Sequence, residues 1–152
     1  MQVTYARRLW LVSLAGWMGW AAGFLASVPA MLVIGWRDSE HDPNIFAATI
    51  GSGLLVWACW TLVLGVAVWL LFAVPSALLL SPGFLIRHRL RVLLATALLT
   101  VLLLSLKLMP FQDYAASRTP LRFVLYMPYG AFALFFAVVT AWWYLRGLSR
   151  TN

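Results

Sequence analysis

The chain has 152 residues, 64% of them hydrophobic and only 10% charged, with a net charge of +7; soluble domains carry roughly a quarter charged residues. That composition excludes a water-soluble globular fold and predicts an all-α polytopic membrane protein, one domain over 1–152, because no polar stretch is long enough to fold separately. The pI near 10.6 would suggest nucleic acid in a soluble protein, but here the basic residues flank apolar spans, so anionic lipid headgroups are the expected partner and nucleic acid is not.

The uncharged runs are Leu9 to Trp36, Pro43 to Ile86, Val92 to Leu106 and Phe123 to Leu145, against a requirement of about 20 residues per crossing. The second run is long enough for two crossings, and charge decides against that. With four crossings, Arg7, Arg8, Arg87, Arg89, Arg91, Arg146 and Arg150 share one side with no acid. All four acids, Asp38, Glu40, Asp42 and Asp113, share the other with Arg37, Lys107, Arg118 and Arg122. Cytoplasmic loops retain Lys and Arg, so both termini are expected inside, and a fifth crossing would reverse the bias. The expectation is a four-helix transmembrane bundle, N-in and C-in, with spans at about 9–36, 46–80, 88–109 and 120–145.

Arg7 and Arg8 precede the first span and hold the N-terminus in the cytoplasm. The apolar run behind them far exceeds the roughly 7 to 15 residues of a signal-peptide core, so the span is expected to stay uncleaved. Along it Ala15, Gly19, Gly23 and Ser27 recur every four residues. Small residues at this interval let a second helix approach closely, which supplies van der Waals contact where lipid provides no hydrophobic drive. The strip serves either packing within the chain or a seam between subunits. Trp17 and Trp20 are three apart on the same helix, as are Trp57 and Trp60 on the next, so each pair shares a face. Such flat side chains could line a site for a quinone, pigment or lipid tail, or simply fill space against glycine.

The first outer loop, Arg37 to Asp42, groups oxygen and nitrogen ligands. Six consecutive solvated residues rarely converge on a metal, and Asp42 reads as a helix cap, so no metal is expected. Asp42–Pro43, Ser81–Pro82 and Thr119–Pro120 each pair a capping side chain with a proline that has no N–H to leave unpaired, and each marks a helix start. The second helix is expected to begin near Pro43 as an interfacial turn and to bend at Pro75. Arg87, Arg89 and Arg91 form the densest charge in the chain and are expected to meet anionic lipid at the cytoplasmic face. The third helix then crosses as a Leu-rich segment to Lys107.

The fourth helix carries Ala133, Ala137 and Ala141 at the same interval of four, and Tyr126 and Tyr129 around Pro128. Pro29 and Pro128 lie at one depth, where two kinks could open an outward-facing cavity lined by those tyrosines. Trp142, Trp143 and Tyr144 form an aromatic anchor near the final span end.

Asp, Glu, Arg and His are missing from the middle of every span, which argues against proton relays, coupled transport and voltage sensing. The lone Cys59 cannot form a redox pair. No cofactor and no catalytic residue is expected. The favoured function is a non-enzymatic subunit or assembly partner of a larger complex in a bacterial cytoplasmic membrane, meeting other transmembrane subunits or itself. The alternatives are a homo-oligomeric channel or carrier for a small apolar or lipid-like molecule, and a membrane enzyme using Asp38, Glu40, His41 and Asp113 at its outer face.

Overall fold

The computed structural model describes the backbone of residues 4–115 and 121–150 and the side chains of 4–104 and 128–150. The side chains of Lys107, Asp113, Arg118, Arg122 and Tyr126, and the helix start at Thr119–Pro120, lie outside the described residues. The chain is all-helical: α1 (Tyr5–Asp38), α2 (Pro43–Val68), a π-helical turn (Trp69–Ala73), α3 (Val74–Leu79), α4 (Pro82–Arg87), α5 (Arg89–Ala115) and α6 (Leu121–Ser149). Among the described residues, three helical segments are long and apolar enough to span a membrane, Tyr5–Asp38, Pro43–Leu79 and Pro128–Ser149.

Helix starts follow local chemistry. Asp42 accepts from the backbone N–H groups of Asn44 at 2.8 Å and Ile45 at 3.5 Å, and Ser81 from that of Phe84 at 3.3 Å, each with proline in the first turn. These caps satisfy donors that have no partner within the helix. Between α1 and α2 the chain reverses within Ser39–Asp42 through two consecutive left-handed residues, Glu40 at φ 54° and His41 at φ 68°. Backbone bonds from Ser39 to Gly35 and from Asp42 to Ser39 hold the turn, with the His41 ring edge-on to Trp36.

The expected bend at Pro75 takes a specific form. Proline has no N–H and its ring collides with the carbonyl four residues back. Here the helix widens into the π turn ahead of it, and the Val74 N–H reaches the Trp69 carbonyl, five residues away. Helical rise continues while the side-chain phase shifts. The helix that follows stops at Leu80, which is extended.

Helix α1 is the hub. It packs most extensively on α6 and also meets α2, the π turn and α3, whereas among the described residues α5 packs on α6 and α4. One row of α6 at intervals of four, Pro128, Phe132, Phe136, Thr140, Tyr144 and Leu148, is buried. The helices run antiparallel, with Gly23 beside Phe132, Gly19 beside Thr140, and Leu11 beside Gly147. A Cβ at Gly19 or Gly23 would lie 2.7 Å from the carbonyl oxygens of Phe136 and Phe132 respectively. The backbones themselves are therefore in contact.

Burial divides into two clusters. One joins Val12, Ala15, Ala77, Leu85, Tyr144, Leu145 and Leu148; the other joins Trp57, Phe132 and Phe136. The outer surfaces of α2 and of the described part of α5 are apolar and exposed, including Leu55, Val63, Leu94 and Leu98.

Replacing Gly23 by Leu should force α1 and α6 apart, costing at least the 1–3 kcal/mol of ordinary overpacking. Gly53→Leu, inside α2 with open space around the position, should not destabilise and should gain up to about 1 kcal/mol from the better helix propensity of leucine. Equilibrium unfolding of both variants in mixed micelles checks the contrast, and equal stability would contradict the α1–α6 contact.

Candidate functional site

Two side-chain arrangements stand out, a polar seam between α1 and α2 and a pair of clefts at the arginine-rich end of α6. The seam arises because α2 and the π turn present Trp57, Thr61, Gly65 and Trp69 at intervals of four toward α1. Trp57 Nε1 donates to Ser27 Oγ at 2.7 Å, Trp20 Nε1 to Thr61 Oγ1 at 3.3 Å, and Trp69 Nε1 to the Val12 carbonyl at 3.1 Å. An indole N–H in a low-dielectric interior needs an acceptor, and each of these three finds one on the facing helix. Small residues make room: Trp69 lies over Gly16 and Trp20 beside Gly65. Trp20 also stacks on Phe24, and Trp57 meets Tyr129 edge-on at 4.7 Å.

The tryptophan pairs that share a face by spacing are thereby separated. Trp57 is buried and Trp20 half-buried, while Trp17 is 60% and Trp60 56% exposed. Tyr129 is exposed apart from its contact with Trp57. Ala15, Gly19, Gly23 and Ser27 are all buried within the chain. Gly19 and Gly23 face α6, and Ser27 receives the Trp57 indole. Ala133, Ala137 and Ala141 are half-buried, one position along from the α6 row that meets α1.

Arg8 has a role that its position near the N-terminus does not suggest. Because α1 already begins at Tyr5, Arg8 is part of the helix; it is 6% exposed and donates through a terminal nitrogen to the Leu80 carbonyl. A cation there complements the negative end of the helical run that closes at Leu79. Its Nε makes no hydrogen bond.

At the same end, a cleft of about 370 Å³ is lined by Ile86 and Arg89, by Leu93, and by Trp142, Leu145, Arg146 and Ser149 of α6. A second, of about 230 Å³, is lined by Trp10, Leu11, Leu14 and Ala15 of α1 and by Trp143, Arg146, Gly147 and Arg150. Arg146 stands between them, its guanidinium carbon 5.0 Å from the Trp142 ring centre and 5.9 Å from that of Trp143. Arg87, Arg89 and Arg91 are all exposed, and of the three only Arg89 lines the larger cleft. The Trp142–Arg146 pairing is legible in the i, i+4 spacing of the sequence, whereas the cleft that Arg146 shares with Arg89 is not.

In the turn between α1 and α2, Asp42 is occupied as a cap. Among the described residues no three His, Cys, Asp or Glu side chains converge on a point where a metal could sit. No family model, curated protein or solved structure matches the chain.

The Ser27–Trp57 bond is testable by a double-mutant cycle. Ser27→Ala strands the indole N–H, and Trp57→Phe removes the donor. The coupling between them should lie near the 0.6 kcal/mol average for membrane helices and below about 1.7 kcal/mol. Additive effects in denaturant titrations would show that the contact contributes nothing.

Proposed function

We propose that the protein is a non-enzymatic integral membrane subunit or assembly partner of a larger membrane complex. In this reading it is a four-helix protein of a bacterial cytoplasmic membrane with both termini inside, and α5 is the third of the four crossings in chain order. Charge supports the orientation, since Arg7, Arg8, Arg87, Arg89, Arg91, Arg146 and Arg150 fall on the side that lacks acids.

The observation that carries the subunit reading is Trp60. It lies near the middle of the helical run Pro43–Leu79, 56% exposed, and its indole makes no hydrogen bond among the described residues, whereas Trp20, Trp57 and Trp69 all donate across helices. At the membrane interface an outward tryptophan finds headgroups and water, but within hydrocarbon its N–H lacks an acceptor. A neighbouring transmembrane helix with a carbonyl or hydroxyl at that depth supplies one. Exposed Trp17 on α1 extends the aromatic surface available to such a partner.

Native mass spectrometry after extraction from the protein's own membrane in the mildest releasing detergent should find a heteromer. Trp60→Phe, which keeps a ring but removes the N–H, should weaken association roughly 3- to 18-fold, the range of membrane hydrogen bonds. Trp60→Ala should weaken it further, as expected of a buried interface tryptophan. A monomer carrying lipid alone, or association unchanged in both variants, would overturn the reading.

A further inference from the structure

We infer that the cleft between α5 and α6 is a binding site for the headgroup and upper acyl chain of an anionic glycerophospholipid. Its volume of about 370 Å³ lies within the roughly 300–1,000 Å³ of small-molecule sites. The lining is of two kinds. Ile86, Leu93 and Leu145 provide an apolar wall, and Arg89 and Arg146 line it from different helices.

Neither arginine pairs with a carboxylate among the described residues, and no acid lines the cleft. Two cationic residues lining one cleft favour an anion there over a neutral occupant. A phosphate diester matches the need, because guanidinium presents paired donors to phosphate oxygens. Arg146 is already positioned for it by the rings of Trp142 and Trp143, which reduces the ordering cost of binding. The apolar wall favours a lipid phosphate over a free one. Since α5 is held by α6 and α4 among the described residues, a lipid bridging Arg89 and Arg146 would also fasten α5 to the rest of the chain. Arg87 and Arg91 belong to the same basic segment but do not line the cleft, so they provide a control of equal charge.

The test uses the full chain, delipidated in a mild detergent, with phosphatidylglycerol titrated and single-lipid adducts counted by native mass spectrometry. Phosphatidylglycerol should be retained well above phosphatidylcholine of the same acyl chains. Replacing both cleft residues (R89Q with R146Q) should weaken retention about 25-fold, each arginine contributing a factor of about five. Replacing both control residues (R87Q with R91Q) should weaken it less than about threefold. Equal retention of phosphatidylcholine, or equal losses in the two double variants, overturns the site in favour of non-specific adhesion. Displacement of the lipid by inorganic phosphate at comparable concentration overturns it in favour of a free-anion site. Circular dichroism of all four substitutions should be native, since all four arginines are exposed.

Discussion

The close approach of the α1 backbone to α6 is the constraint on which the rest of the fold depends. Apolar side chains gain nothing from leaving lipid for one another, so helices in hydrocarbon adhere through dense contact and polar bonds. Glycine at 19 and 23 removes the atoms that would hold the two backbones apart, and α6 fills the space with Phe132, Phe136 and Thr140. Once α6 lies this deep in α1, the adjacent row of α1 is left for α2, and the aromatic rings of α6 reach past α1 to Trp57 and Gly65. The small strip is consumed inside the chain, so a partner would have to meet other surfaces.

The second layer of specificity is polar. Three indoles cross the α1–α2 boundary, each ending on an oxygen. Pro75 cannot donate and crowds the preceding turn. The π turn absorbs that conflict, and it contains Trp69, whose indole reaches the Val12 carbonyl above Gly16. A backbone irregularity imposed by one proline thus carries an interhelical bond. Trp17 and Trp60, pointing outward, lie outside this arrangement.

Arginines that look alike in the sequence have different uses. Arg8 is buried and spends its charge on the end of the α2–α3 run. Arg146 lies against the rings of Trp142 and Trp143 and lines two clefts. Arg87 and Arg91 remain exposed at the surface. The division is set by which residues face a helix end, a ring or open space.

The sequence by itself determined that the chain is helical and apolar enough to cross a membrane, because backbone groups in hydrocarbon must be paired within the segment. It also determined where α2 and α4 begin, since a capping side chain followed by proline acts within a single turn, and it marked Gly19 and Gly23 as places of close approach. These are local properties, readable from residue type and spacing. Only the tertiary structure decided that α6 is the helix received there and that its contacting row is Phe132, Phe136 and Thr140, one position from the alanines. It likewise decided that Trp20 and Trp57 turn inward while Trp17 and Trp60 do not, and that Arg89 and Arg146 line one cleft. A spacing of three or four names a face of a helix, but the rotation of that helix about its axis depends on the neighbours it packs against.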